Sequence, residues 1–263
     1  MRIGLTQMDI VWEDKTANRK RVCELVAQAA KNDVEVLVFP EMTLTGFTMN
    51  TELAGEKLSI SETLKFFKDI SVGYNMAIVF GMVEDSGKGY YNKLMVVSEG
   101  CVIYEYDKIH PFNYGEEGKH YIGGRKVKNA ELKGFGFSGF VCYDLRFPEI
   151  FQAVADESDI IYVIANWPKE RVLHWESLLR ARAIENQCFV VGVNRIGRGN
   201  NIEYVESSAA FDPLGERLTK IHDESELMVV DVDKDYVKDV RRKYPFRQDR
   251  NTEFYETLYH INV

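Results

Sequence analysis

The sequence predicts an α/β fold, because short apolar segments typical of buried strands alternate along the chain with longer segments of helical periodicity. The clearest strand covers 34–39, an apolar and β-branched run that suits a parallel sheet covered on both faces. The clearest helix covers 18–30, where apolar side chains recur every three or four positions. At 263 residues the chain can form one large domain with an ample core.

The remaining elements follow from local patterns. Alternation predicts a first strand over 2–9, and a Ser-Glu-Gly turn predicts that strands over 91–97 and 101–106 form a pair. A proline at its start marks a helix over 148–155. Further strands are predicted over 77–82, 138–142, 160–165, 189–194 and 228–232, and further helices over 61–74 and 171–187.

The loops and the C-terminal part complete this expectation. Segment 112–124 is polar, aromatic and rich in glycine, which predicts a loop. The turn signal at 212–215 predicts a hairpin between strands over 207–211 and 217–221. After about Val237 the sequence predicts a mostly polar helix and a C-terminal tail, and the absence of linkers and repeats predicts a single domain over 1–263.

The composition argues against several classes of function. The net charge of −8 argues against a nucleic-acid partner, and no apolar run approaches the ~18 residues of a membrane span. The four cysteines, at positions 23, 101, 142 and 188, lack the CxxC spacing of a zinc site or the arrangement of a disulfide scaffold. This spacing leads us to expect no metal, and no other cofactor is expected. No signal peptide is visible at the N-terminus, so we expect a cytoplasmic protein.

Three chemically useful side chains each follow a predicted strand. Glu41 follows 34–39, Lys108 follows 101–106, and Cys142 ends the strand over 138–142 before a sharp turn and a helix. Such a turn exposes a sulfur, and a helix N-terminus favours the thiolate. Taken singly, the three also fit a loop carboxylate, a surface lysine and a buried core cysteine.

Together these segments resemble the nitrilase, or carbon–nitrogen hydrolase, superfamily over nearly the whole chain. The segments Phe39-Pro40-Glu41, Tyr106-Asp107-Lys108 and Val141-Cys142-Tyr143-Asp144 match the Glu-Lys-Cys catalytic set of that family in its order. The segments 106–110, 117–121 and 165–175 are most similar to the omega-amidase branch. The resemblance implies a four-layer α-β-β-α sandwich and an enzyme that forms a homodimer.

The resemblance also implies roles for the matched residues. Cys142 would form an acyl thioester, Glu41 would transfer protons, and Lys108 would stabilise the oxyanion together with the backbone N–H of Tyr143. A second carboxylate accompanies this set in many family members; Glu117 is the better match, and the adjacent Glu116 stays open.

Other residues in the matching segments are candidates for the substrate pocket. Tyr143, Asn166 and Trp167 follow predicted strands, whereas His120 and His174 lie in stretches that match the branch. Arg146 is the cation nearest in sequence to the nucleophile, so it either binds a substrate carboxylate or pairs with Asp144 or Glu149. His110 could be mistaken for the histidine that pairs with the nucleophilic cysteine in cysteine proteases, but the motif assigns acid–base catalysis to Glu41.

We therefore expect a cysteine-dependent amidase that releases ammonia from small dicarboxylate monoamides of the 2-oxoglutaramate or 2-oxosuccinamate type. One alternative keeps the chemistry and changes the small-molecule substrate to a nitrile, an N-carbamoyl amine or another amide. A second alternative is a catalytically silent binding protein, against which the intact Glu-Lys-Cys match argues.

Overall fold

The computed structural model describes residues 1–220 and 225–258. The strands are β1 Arg2–Thr6, β2 Val36–Val38, β3 Gly55–Glu56, β4 Ala77–Asp85, β5 Tyr90–Ser98, β6 Cys101–Asp107, β7 Ala130–Leu132, β8 Phe135–Val141, β9 Ile160–Ala165, β10 Phe189–Asn194, β11 Gly197–Gly199, β12 Ile202–Tyr204, β13 Ala209–Phe211 and β14 Leu227–Asp231. The helices are α1 Lys15–Lys31, α2 Thr51–Ala54, α3 Glu62–Gly73, α4 Pro148–Val154, α5 Val172–Asn186, α6 Lys234–Lys243 and α7 Thr252–Leu258.

Two larger sheets carry the architecture. The 7-stranded sheet has the order β14-β1-β2-β4-β5-β6, with β3 paired to β4. The 5-stranded sheet has the order β13-β10-β9-β8-β7. In each sheet a parallel centre, formed by β1, β2 and β4 or by β8, β9 and β10, is flanked by antiparallel strands. Strands β11 and β12 form a separate hairpin.

The sheets and helices form four layers, and alternate side chains of a central strand belong to different cores between these layers. In β2, Val36 and Val38 belong to the core between the two sheets, whereas Leu37 belongs to the core under α1 and α3. This alternation is the two-residue period of a strand buried on both faces. On the other side α4 and α5 bury side chains such as Phe151 and Trp175 against the 5-stranded sheet. The predicted α/β sandwich is confirmed.

Several local predictions differ from the structure. Only an isolated bridge joins Phe211 to Arg217 where a hairpin was expected, and Ile221, the end of that predicted strand, lies outside the described residues. The expected loop 112–124 contains two short 3-10 turns. Strands β3, β7, β11 and β12 were missed because each has only two or three residues and extends no longer apolar run, which is too little to establish a period.

The C-terminal helix starts earlier than expected. Helix α6 begins at Lys234 and buries Val237 and Val240, whose apolar stripe is hidden in the sequence among charged neighbours. Asp233 accepts a hydrogen bond from the backbone N–H of Asp235 at the start of this helix. None of the helices within residues 1–220 and 225–258 is long and apolar enough to cross a membrane.

The topology brings four strand ends together. The segments that follow β2, β6, β8 and β9 carry Glu41, Lys108, Cys142 and Asn166, respectively. In open α/β sheets, ligands bind beyond the carboxyl ends of parallel strands. Because the two sheets pack face to face, the ends of β2 and β6 from one sheet meet those of β8 and β9 from the other.

Candidate active site

Glu41, Lys108 and Cys142 form one cluster. The Lys108 ammonium donates a hydrogen bond of 3.1 Å from Nζ to Oε1 of Glu41, and both side chains are buried. The charges of Glu41 and Lys108 both act on the Cys142 thiol. The structure therefore brings together the three side chains that the motif comparison had singled out from segments far apart in the chain.

The nucleophile turn has an unusual backbone. Cys142 has a φ of 50°, in the left-handed region that disfavours residues with a Cβ. It begins a 3-10 helix, Cys142–Arg146, which precedes α4. Buried Asp144 braces this turn by accepting hydrogen bonds from the backbone N–H of Val141, the hydroxyl of Tyr106 and the backbone N–H of His110.

Glu41 is fixed from both sides. Its Oε1 accepts from Lys108 Nζ and, at 2.7 Å, from Asn92 Nδ2. Its Oε2 accepts from the backbone N–H of Asn166 at 2.8 Å. The turn that carries Glu41 packs directly on Gly81 of β4, where a Cβ would lie 2.3 Å from the backbone nitrogen of Met42. Glycine at that position allows the close approach.

Glu117 lies in the cluster as a second buried carboxylate, whereas the adjacent Glu116 does not. Glu117 is fully buried, and its Oε2 lies 2.8 Å from Lys108 Nζ and 2.6 Å from the backbone nitrogen of Phe112, both of which donate to it. Glu116 is exposed and pairs with Lys119 at the surface.

Burial and neighbouring charges shift the pKa values of Lys108 and Cys142. Burial opposes the ammonium of Lys108, yet Glu117 and Glu41 hold its pKa well above the ordinary value. Burial, with the negative charge of Glu41 and Glu117, raises the pKa of the Cys142 thiol well above its ordinary value, although Lys108 acts in the opposite direction. Desolvation and the two carboxylates therefore oppose the effect of the helix that follows Cys142, which by itself favours the thiolate.

A small cavity of about 60 Å³ opens onto Cys142. Its lining comprises Phe47, Lys108, Phe112, Cys142, Tyr143, Arg146, Asn166, Trp167, Pro168, Arg171, Ile202 and Tyr204. Glu41 and Glu117 lie behind this lining, with no exposed surface. Five of these twelve lining residues are aromatic, and two guanidinium groups, those of Arg146 and Arg171, are the cations besides Lys108.

Three histidines of the matching segments lie outside the cavity lining. His110 stacks on Phe147 and its Nδ1 lies 2.8 Å from Asp144 Oδ1, so it is not the partner of the thiol. His174 is exposed and contacts Arg146 at 3.3 Å, and His120 is exposed near Glu116. Pocket lining was the wrong interpretation for His120 and His174; the family match located their segments but not the direction of their side chains.

Sequence reasoning missed Asn92 and Arg171. Asn92 is a buried polar residue within the apolar strand β5, and that interruption was the available signal. Arg171 follows Trp167 and Pro168 in a charged stretch that gives no local sign of its direction. Among residues 1–220 and 225–258, no group of three or more His, Cys, Asp or Glu side chains could hold a metal ion.

Comparison with known sequences agrees with the geometry. The family model described as carbon–nitrogen hydrolase matches residues 2–242. The chain is 36% identical to omega-amidase YafV of Yersinia enterocolitica over 82% of this chain and 83% of that protein. It is 32% identical to the 2-oxoglutaramate amidase of Bacillus subtilis over 96% of this chain and 98% of that protein.

Comparison with solved structures gives the same result. XC1258 of Xanthomonas campestris, a CN-hydrolase superfamily protein with an arsenic adduct in its active site, superposes with a TM-score of 0.90 at 30% identity, covering 95% of this chain and 97% of that one. An amidase from Nesterenkonia sp. superposes with a TM-score of 0.86 at 22% identity, covering 98% and 96%, and at that identity it supports the fold alone.

Proposed function

The chain belongs to the carbon–nitrogen hydrolase family, and from that premise we propose that it is an omega-amidase, which hydrolyses the terminal amide of a small dicarboxylate monoamide. It is a hydrolase that acts on amides, and the relatives named omega-amidase and 2-oxoglutaramate amidase support this substrate class. The cavity beside Cys142 has room only for a small molecule.

One observation carries the substrate assignment: two guanidinium groups without acidic partners share the cavity with the nucleophile. Neither Arg146 nor Arg171 forms an ion pair within the described part of the chain. Asp144 instead accepts from Tyr106 and His110, so the alternative of a structural Arg146–Asp144 pair loses its support. A guanidinium beside aromatic walls binds a carboxylate with two parallel hydrogen bonds.

The aromatic contacts hold these cations toward the cavity. The Arg146 guanidinium lies 4.9 Å from the centre of the Trp167 ring, and that of Arg171 lies 5.5 Å from the centre of the Phe112 ring. Such stacking orients a guanidinium without neutralising it. A substrate whose far end is a carboxylate would therefore find both positive charge and the thiol in one cavity.

In the acylation half-reaction, the Cys142 sulfur attacks the amide carbon while Glu41 accepts the thiol proton. The carbonyl oxygen gains negative charge, which Lys108 stabilises together with the backbone N–H of Tyr143. That N–H is the second of a 3-10 helix, where no intrahelical acceptor is available. Glu41 then delivers the proton to the amide nitrogen, the C–N bond breaks, and ammonia leaves a thioester on Cys142.

In the deacylation half-reaction, Glu41 removes a proton from water, which attacks the thioester carbon. The C–S bond breaks, the proton returns to the sulfur, and the acid product leaves. Glu117 keeps Lys108 charged and in place through both steps, since it accepts hydrogen bonds from that ammonium and from the Phe112 backbone. Asn166, which lines the cavity, also fixes Glu41, since its Nδ2 donates to the backbone oxygen of Glu41 at 2.7 Å.

We predict a strong preference for a substrate with a carboxylate at its far end. Glutaramate or 2-oxoglutaramate should exceed pentanamide in kcat/KM by at least about tenfold, because one charge-assisted hydrogen bond contributes ~1.5–3 kcal/mol. Arg146→Met and Arg171→Met should each reduce this ratio. The measurement is ammonia release for both substrates at one pH.

The matched control is Arg180→Met, which removes a guanidinium that stacks on Phe211 and donates to Gly215, away from the cavity. This variant should keep the full substrate preference. Equal rates on pentanamide and glutaramate in the wild type would refute the omega-amidase assignment and leave the cysteine chemistry standing. A screen that includes nitriles and N-carbamoyl amines then identifies the alternative substrate.

Three expectations from the sequence stay predictions. They are that the enzyme forms a homodimer, that it works in the cytoplasm, and that residues 1–263 form one domain. The cavity and the acidic net charge of −8 support a small-molecule partner rather than a nucleic acid.

A further inference from the structure

Asn92 connects the two buried carboxylates around the nucleophile, and its backbone pairs with that of Lys108. It lies in β5 with 1% of its surface exposed. Its Nδ2 donates to Oε1 of Glu41 at 2.7 Å and to Oε1 of Glu117 at 3.0 Å. Its backbone oxygen accepts from the backbone N–H of Lys108 at 2.9 Å. Asn92 is absent from the cavity lining, so it does not contact the substrate directly.

The two carboxylates need a donor that adds no charge. Glu41 and Glu117 are both fully buried, and both accept hydrogen bonds from the single ammonium of Lys108, so two acidic side chains share one cation. Two like-charged carboxylates in a dry environment repel each other strongly. A primary amide has two N–H donors and no charge, and the two donors of Asn92 bind one oxygen of each carboxylate.

We propose that Asn92 is a positioning residue for amide hydrolysis, holding Glu41 and Glu117 at a fixed separation so that Glu41 faces the reaction. The inference rests on the proposed amidase function. With Oε1 held by Asn92 and Lys108, the other oxygen of Glu41 is held by the backbone N–H of Asn166. Neither oxygen can then turn without losing a hydrogen bond, which fixes the plane of the carboxylate that transfers the proton.

The chain contains a closely matched control residue. Asn186 in α5 is also 1% exposed, its Nδ2 also donates to two acceptors, the backbone oxygen of Arg182 and Oε1 of Glu185, and its Oδ1, like that of Asn92, has no partner among the described residues. Both asparagines thus have the same burial and the same pattern of hydrogen bonds. Only Asn92 contacts Glu41 and Glu117.

The experiment compares alanine and aspartate substitutions at both positions. Asn92→Ala should lower kcat on glutaramate by about 10²-fold with little change in KM, since misplacing a catalytic group by about 1 Å has an effect of that size. Asn186→Ala should leave kcat near the wild-type value even if its melting temperature falls. Thermal unfolding of each variant separates a loss of folded protein from a loss of turnover.

The aspartate variants give a signature that a purely structural role would not give. Asn92→Asp replaces two donors by acceptors that face two carboxylates, so kcat should fall at least as far as in Asn92→Ala. The ratio of its kcat to that of the wild type should rise as the pH is lowered, because a protonated carboxyl regains one donor. Asn92→Ala has no group to protonate, so its ratio to the wild type should stay constant with pH, and Asn186→Asp should behave likewise.

A readout without substrate distinguishes failure of this inference from failure of the proposed function. Iodoacetamide labelling of Cys142, followed by peptide mass spectrometry, can be referred to the exposed thiols of Cys23 and Cys101 in the same sample. The Cys142 thiol needs Glu41 in position to accept its proton, so Asn92→Ala should slow its labelling relative to these references, by about tenfold or more.

The possible outcomes separate the proposed amidase function from the proposed role of Asn92. A wild type that releases no ammonia from any amide refutes the proposed function, and the labelling ratio alone then decides the role of Asn92. Unchanged labelling, or a loss of kcat in Asn92→Ala no larger than that in Asn186→Ala, overturns the inference. A loss of kcat confined to the Asn92 variants, with the pH-dependent ratio in Asn92→Asp, supports it.

Discussion

Replacing Cys142 by alanine is expected to lower ammonia release by about 10³-fold or more while the protein stays folded. The substitution removes the only atom that can form the thioester, so the covalent path is lost. The sulfur itself makes a small structural contribution, since its hydrogen bond is a long one, 4.0 Å to the backbone oxygen of Asn166, and it packs only at the edge of the core. Initial rates and thermal unfolding of the purified variant measure the two quantities separately.

Cys101→Ala is the matched control for this substitution, because Cys101 is a free thiol exposed at the start of β6. It should leave turnover unchanged. Intact-protein mass spectrometry of the wild type under turnover should show an acyl adduct that maps to Cys142 wherever deacylation is the slower step. Activity of Cys142→Ala above one tenth of the wild-type value would contradict the assignment of the nucleophile.

The parts of this site that the sequence predicted share a local signal. Glu41, Lys108 and Cys142 each follow a segment whose apolar or alternating pattern identifies a strand, and ligands of α/β folds bind beyond the carboxyl ends of strands. The order of the three motifs along the chain then identified the family. Both inferences need only neighbours in sequence, which explains why they agree with the structure.

The parts that were missed or misjudged depend on contacts between segments distant in sequence. Asn92 meets Glu41 across 51 positions, a relation that no pattern around either residue records. The choice of Glu117 over Glu116 depends on which of the two adjacent side chains turns inward. Glu116 itself has a φ of 64°, and the side chain that turns inward after it is that of Glu117. His174 lies in a matching segment but on the exposed side of α5, beyond Arg146.

The second large effect is expected for Glu41→Gln, which should lower kcat by about 10²–10⁴-fold, the usual contribution of a positioned general base. The requirement for a base is severe here, because burial, together with the charge of Glu41 and Glu117, raises the pKa of the Cys142 thiol well above its ordinary value. Glutamine has the same shape but cannot accept the proton. KM should change much less than kcat, since Glu41 is not part of the cavity lining.

The surroundings of Glu41 also decide how this variant must be controlled. Both oxygens of the Glu41 carboxylate accept hydrogen bonds, from Lys108, Asn92 and Asn166. In Glu41→Gln the amide NH₂ group replaces one of these oxygens and therefore faces a donor instead of an acceptor. Some loss of stability is therefore expected, and thermal unfolding must accompany the rates. Glu116→Gln, at an exposed acid that pairs with Lys119, removes the same charge without touching the site and should keep full turnover. If folded Glu41→Gln protein retains near-normal kcat, the proton must go to another group, and the base assigned here is wrong.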